Sequence, residues 1–263
     1  MERAEQVHTL IDSLLRDMPG LRLQGGAVFR DAAGQRRLLR ALMNLRPPAA
    51  LDAGFLEVQD ALLSAEREEK GVVEADALPA TAAHPQIALW QGDITRLKAD
   101  AIVNAANSAL LGCFHPCHGC IDNAIHSAAG LQLREECSQL MEAQGRPEPT
   151  GRAKLTKGYN LPARYVLHTV GPIVQDRVTE RDRELLASCY RSCLELAAEH
   201  GLETVVFCCI STGEFRFPNR EAAEIAVSTV KQFLQTPASI RKVVFNVFKD
   251  IDAEIYRDLL GQD

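Results

Sequence analysis

The chain of 263 residues has no apolar run of about 18, the length a helix needs to cross a bilayer. The N-terminal stretch MERAEQVHTLIDSLLRDMPG is not expected to be a secretory signal, because it has charges inside its apolar positions and no small-residue cleavage site. Basic residues are not in excess: 29 Lys and Arg face 35 Asp and Glu, a net charge of −6. That balance argues against a broad nucleic-acid surface but leaves room for a local nucleotide site. Eight cysteines are too few for a disulfide scaffold. No internal repeat or low-complexity segment occurs, and neither a P-loop nor a G-x-G-x-x-G fingerprint is present. What remains is an ordinary globular composition, 46% apolar and 24% charged. The length fits one large domain, or one domain with a substantial extension.

The N-terminal third has helical periodicity. Val7, Leu10, Ile11, Leu14 and Leu15 form a stripe over 3–18, ended by Pro19-Gly20. Residues 35–46 give a second helix stopped by Pro47-Pro48, and a third covers 52–70. Residues 72–85 have no period and are expected to be a linker. The rhythm then changes. Strands are expected at 87–90, 101–106, 165–170, 204–210 and 242–248, and helices at 122–144, 179–200, 219–235 and 250–260. Alternating helices and continuously apolar strands imply a three-layer α/β domain with its sheet covered on both faces. The division is a helical extension over 1–80 and an α/β domain over 81–263. Ligands in such domains sit beyond the carboxyl ends of the strands. That rule selects the loops 91–95, 104–122, 169–174 and 211–217.

The densest chemistry is in the second loop. Cys113, His115, Cys117, His118 and Cys120 offer five soft or borderline ligands within eight residues. No second Cys/His cluster downstream completes a finger, so a local three-ligand site for zinc, with one coordination position open, is the better metal reading. A thioredoxin-like pair at Cys117 and Cys120 is weaker, because nearby histidines would be superfluous. Without a signal peptide, such a cluster indicates a reducing compartment, the cytoplasm. Cys137, Cys189, Cys193, Cys208 and Cys209 lie on helix or buried-strand patterns and are expected to be small apolar fillers. Asp122 suits a helix N-cap or first turn on its own merits. His126 and His168 are expected to be packed histidines. Ser211-Thr212-Gly213, leaving a buried strand and entering a helix, offers amides and hydroxyls to an anion. Asp93 could accept from a base amine, and turn chemistry accounts for it equally well.

Five motifs in order resemble a known family. Gly92-Asp93-Ile94-Thr95, Asp100 to Asn107, Ala124-Ile125-His126, His168 to Pro172 and Ile210 to Pro218 look like a macrodomain over about 86–263. The Cys/His loop stands where most hydrolytic members carry glycines. With the helical extension, it resembles the zinc-containing microbial branch of protein-ADP-ribose hydrolases. The resemblance implies an α/β/α fold with a mixed sheet and a site for ADP-ribose across the strand ends. Asp93 would take the adenine amine and Ile94 would back the ring. Ser211, Thr212, Gly213, Glu214 and Phe215 would wrap the diphosphate. Cys120, Ile121 and Asp122 would border the ligand, with Asn104, Asn107 and Asp122 around the distal ribose as the catalytic set. Zinc would sit on Cys113, His118 and Cys120. Glu214 stands where many members have an apolar residue, and a carboxylate beside a diphosphate is repulsive unless it points away.

The implied activity is zinc-dependent removal of mono-ADP-ribose from protein side chains. Its partners are ADP-ribose and a mono-ADP-ribosylated protein, with no nucleic acid or membrane, and nothing demands more than a monomer. Two other readings compete with it. One is a non-catalytic reader of ADP-ribosylated protein, and the other a structural or redox role for the cysteine loop.

Overall fold

The computed structural model describes residues 1–21 and 31–261. Its centre is a six-stranded sheet in the order β2-β8-β7-β4-β6-β5. The strands are β2 (Ile87–Gln91), β4 (Ala101–Ala105), β5 (Ala153–Lys157), β6 (Tyr165–Thr169), β7 (Thr204–Phe207) and β8 (Lys242–Val247). The five from β2 to β6 in that order run parallel, and β5 pairs antiparallel on the β6 edge. Two shorter strands, β1 (Val73–Glu74) and β3 (Leu97–Lys98), form a separate parallel pair. Residues on β4, β6, β7 and β8 such as Ile102, Leu167, Val206 and Val244 are fully buried, as strands covered on both faces require.

Flanking helices are α4 (Ile121–Ala129), α5 (Leu131–Gln144), α6 (Glu180–Glu199), α7 (Asn219–Phe233) and α8 (Asp250–Leu260). Because β2, β4, β6 and β7 are parallel, the turns that follow them open on one edge of the sheet. Asp93, Asn107, Gly171 and Ser211 are carried there together.

Three helices precede the sheet: α1 (Arg3–Asp17), α2 (Ala32–Leu45) and α3 (Ala53–Lys70). Asp31 and Asp52 cap α2 and α3 by accepting from the amides of Gly34 and Phe55. Their apolar stripes, with Leu10, Leu14, Leu39, Leu42 and Leu62, make a core of their own that also takes in Leu131 of α5. No described helix is long and apolar enough to cross a membrane.

The sequence expectations differ from the fold in four places. The single helix expected over 122–144 is two, broken at Gly130, whose φ of +96° is costly for any side chain. Both halves continue the apolar stripe, so periodicity alone runs through the break. Strand β5 was not foreseen: it is a polar edge strand whose Lys154 and Lys157 suit an edge but mask the β pattern. Residues 72–85 hold β1, a 3₁₀ turn at Ala75–Ala77 and a Thr81–His84 bridge, and Ala75 is packed in the sheet core. The strand expected to reach 210 ends at Phe207, because it pairs with β8 only that far.

Candidate active site

Helix α4 begins at Cys120, whose Sγ accepts from the Asn123 amide at 3.4 Å. Asp122 lies in the first turn and is 5% exposed. Asn104, the buried fourth residue of β4, donates through Nδ2 to Asp122 Oδ1 at 2.8 Å. Asn107 donates through Nδ2 to Asp122 Oδ2 at 3.3 Å and to the Gly112 carbonyl at 3.1 Å. The three residues expected to be catalytic are therefore brought together, with both oxygens of the carboxylate held by amides. Burial pushes Asp122 up to about 6, opposed by the Asn104 hydrogen bond and the charge of Arg134.

Behind this trio lies a neutral histidine pair. Asn104 Nδ2 sits 3.2 Å from His168 Nδ1, and His168 Nε2 sits 2.9 Å from Thr156 Oγ1. With Asn104 as donor, Nδ1 accepts and Nε2 carries the proton. Burial holds His168 down to about 3 and holds His126 well below its usual value. His126 Nε2 is 3.5 Å from Asp122 Oδ1. The amide oxygen of Asn104 is buried and has no partner among the described residues.

Cys113, His118 and Cys120 place their ligand atoms within 4.8 Å of one another. Cys113 Sγ lies 3.7 Å from His118 Nδ1. In tetrahedral zinc sites adjacent sulfur and nitrogen donors lie about 3.6 Å apart, so this donor set fits the ion in both chemistry and spacing. Burial pushes the Cys120 thiol up to about 12; the Asn123 amide opposes the rise and Cys113 adds to it. The other two loop candidates fall outside this group of three ligand atoms. His115 stacks on His118 with ring centroids 5.2 Å apart, and the Cys117 thiol donates to the Arg37 carbonyl at 3.4 Å.

At the far end of the strand edge, Asp93 Oδ1 accepts from the amide and hydroxyl of Thr95 at 3.0 and 2.7 Å. Its other oxygen is 3.9 Å from Lys70 Nζ of α3. Ile94 is buried in the sheet core beneath it. Between the two ends runs the 211–217 turn. Its own bonds run from Phe217 N to Ser211 O and from Arg216 N to Gly213 O, while Val174 N takes the Phe215 carbonyl. The amides of Thr212, Gly213, Glu214 and Phe215 have no acceptor among the described residues. Successive unpaired amides in a turn can make an anion-binding concavity. Ser211 is in the left-handed region at φ +66°, and its buried hydroxyl has no partner among the described residues. Glu214 points away from this concavity, toward His118 Nε2 at 3.6 Å. Ile121 is half-buried against the core beside Cys120.

Comparison with known proteins decides the family. The Macro domain family matches residues 103–226. A protein-ADP-ribose hydrolase from Treponema medium is 49% identical over 99% of this chain and 100% of its own. The chain belongs to the macrodomain family. A protein-ADP-ribose hydrolase from Staphylococcus aureus is 51% identical over 86% of this macrodomain protein and 85% of its own length. Among solved structures, the Trypanosoma brucei macrodomain in complex with ADP-ribose is 34% identical with a TM-score of 0.66, over 84% of this chain and 95% of that one. The Oceanobacillus iheyensis macrodomain with ADP is 40% identical with a TM-score of 0.60, over 66% and 90%.

Several residues that meet this macrodomain's site were not singled out from sequence. Arg134 is 3% exposed; its Nε donates to Leu111 O at 2.7 Å, and its Nη1 to the carbonyls of Met43, Asn44 and Arg46 at 2.9, 3.0 and 2.6 Å. Its signal is a charged residue on the apolar stripe of α5. Arg40, Asn44 and Asn123 touch the cysteine loop, and nothing local in the sequence marks them. Cys137, Cys189, Cys193 and Cys208 are buried as expected for apolar fillers, and Cys209 is half-buried.

Proposed function

We propose that this macrodomain protein is a zinc-dependent hydrolase that removes mono-ADP-ribose from modified protein side chains. The observation that carries the reading is a juxtaposition at the start of α4. A buried carboxylate held by two asparagine amides stands two residues from three converging zinc-type donors. The relatives at about 50% identity, both protein-ADP-ribose hydrolases, support it.

In this reading ADP-ribose lies across the strand ends. Asp93 takes the adenine amine and Ile94 supports the ring from below. The amides of Thr212 to Phe215, with the Ser211 hydroxyl, take the diphosphate. Asn104 Oδ1 and Asn107 meet the distal ribose, with Cys120 and Ile121 at its border. Cys113, His118 and Cys120 would hold zinc, which would supply Lewis acidity when bound. Asp122 orients a water toward the anomeric carbon and takes its proton. The new bond joins the water oxygen to that carbon, the bond to the protein side chain breaks, and the leaving atom takes up a proton. Residues 1–80 form one unit and 81–263 the other, in a monomer working in the cytoplasm with no nucleic-acid or membrane partner.

The test is release of ADP-ribose from a mono-ADP-ribosylated protein, with and without a strong zinc chelator, beside metal analysis of the purified chain. Turnover with about one zinc per chain, lost on chelation and restored by added zinc, is expected. No turnover on any linkage, with ADP-ribose still bound, would make the protein a reader instead.

A further inference from the structure

The loop that carries the three donors has almost no structure of its own. Within it the main backbone bond is His118 N to His115 O at 3.2 Å. It is held from outside, largely by the second helix of the extension. Arg40 Nη2 donates to the His118 carbonyl at 3.3 Å. The same guanidinium donates through Nε and Nη2 to Asn123 Oδ1 at 3.2 and 2.7 Å. Asn123, fully buried, returns its own Nδ2 to the His115 carbonyl at 3.0 Å. Asn44 Oδ1 accepts from Cys117 N at 2.9 Å, and the Arg37 carbonyl accepts from the Cys117 thiol. Apart from the Arg40–Asn123 pair, these contacts fall on His115, Cys117 and His118, in the stretch between Cys113 and Cys120. Cys117 sits at φ +53°, a strained value for a non-glycine residue that persists only where neighbours fix it.

We propose that Arg40 is a positioning residue for the metal loop, and that the N-terminal helices are a working part of the site. The inference rests on the reading of Cys113, His118 and Cys120 as a zinc site. A loop ordered before the metal arrives does not incur the entropic cost of ordering on binding. By fixing the carbonyls of His115 and His118, Arg40 and Asn123 fix where the His118 ring starts, and so its spacing from Cys113. The device needs a planar fork with several donors in set directions, which lysine lacks.

The sign of the effect separates positioning from charge. Removing a cation near a metal site should by itself strengthen binding of a dication. Loss of the clamp should weaken it. The full chain is tested as wild type, Arg40→Met and Arg40→Lys, with zinc affinity read by competition against a chromophoric chelator. ADP-ribose affinity and the unfolding midpoint are read in parallel. Arg40→Met and Arg40→Lys are both expected to bind zinc about 10- to 100-fold more weakly, the range for lost outer contacts to metal ligands. Because Arg40 lines the same cavity as Asp93, a loss of ADP-ribose affinity with zinc affinity intact would place its role at that cavity and overturn the proposal. Arg3→Ala breaks an exposed ion pair to Glu69 within the extension and should change none of these. Zinc affinity unchanged or raised in Arg40→Met, or restored in Arg40→Lys, overturns the proposal. Wild type that binds no zinc overturns the metal reading itself.

Discussion

Glu214 Oε1 lies 3.6 Å from His118 Nε2, while His118 Nδ1 lies 3.7 Å from Cys113 Sγ. The imidazole thus faces the donor cluster with one nitrogen and a carboxylate with the other. A carboxylate on the far nitrogen fixes a metal-bound histidine's tautomer and raises its basicity. It also accounts for a carboxylate in a turn proposed to hold a diphosphate: it is turned toward the His118 ring. Glu214→Ala is expected to weaken zinc binding about tenfold, the low end of the range for such contacts because Glu214 is 73% exposed. Chelator competition measures it. An unchanged affinity would make the contact incidental.

The carboxylate of Asp122 is expected to act on water, and the asparagines to set its direction. Asp122→Asn preserves shape and removes the base. It should lower turnover about 10²- to 10⁴-fold while ADP-ribose still binds. Asn104→Ala leaves the carboxylate but frees one of its oxygens and unpairs His168 Nδ1. A misdirected base costs up to about 10²-fold in kcat. Single-turnover release of ADP-ribose distinguishes the two from binding defects. Equal rates for Asp122→Asn and wild type would sink the assignment.

His168 makes the fold sensitive to acid. Burial holds its imidazole down to about 3, whereas an unfolded histidine titrates near 6.5. Between those values the unfolded chain binds the extra proton, so stability falls as pH drops below about 6.5 and the penalty is absent above it. The slope is about 1.4 kcal/mol per pH unit, or about 2 kcal/mol by pH 5. His168→Gln keeps an acceptor for Asn104 and a donor for Thr156 but does not titrate. Urea unfolding at pH 7.5 and pH 5.0 should show wild type losing about 2 kcal/mol more than the variant. Equal losses would mean that the fold does not keep His168 neutral.

Much of this was legible along the chain, and the reason is local. The apolar strands and the crowding of Cys and His over 113–120 are each read within a few residues, whereas the choice of Cys113, His118 and Cys120, and of Asn104, Asn107 and Asp122, came from the resemblance to the family. The break at Gly130 was not legible, because both α4 and α5 keep the same apolar stripe across it. Nor was β5, whose lysines suit an edge and hide the alternation. Least visible were the partners of the cysteine loop. Arg40 and Asn123 are 83 residues apart, and no spacing rule joins a polar face of α2 to a turn so distant. The orientation of Glu214 was likewise open, since it depends on where His118 folds.

Gly171 supplies the last prediction. It follows β6, and a Cβ built on it would stand 2.0 Å from Ser211 Oγ and 2.9 Å from Ile210 Cγ2. Ser211 opens the turn proposed to take the diphosphate, and it already occupies a left-handed conformation. A methyl group at 171 must therefore push that turn or displace the hydroxyl. Overpacking of this kind costs about 1–3 kcal/mol of stability. The displaced amides should cost more in ligand binding than in folding relative to what each has to spare. Gly171→Ala is expected to raise the Kd for ADP-ribose about tenfold or more and leave zinc content unchanged. The turn meets His118 of the donor loop through the exposed Glu214, a side chain the substitution leaves in place, so the two effects should separate. Titration calorimetry with ADP-ribose, beside metal analysis of the same sample, decides it. Wild-type affinity in the variant would place the diphosphate somewhere other than the 211–215 turn.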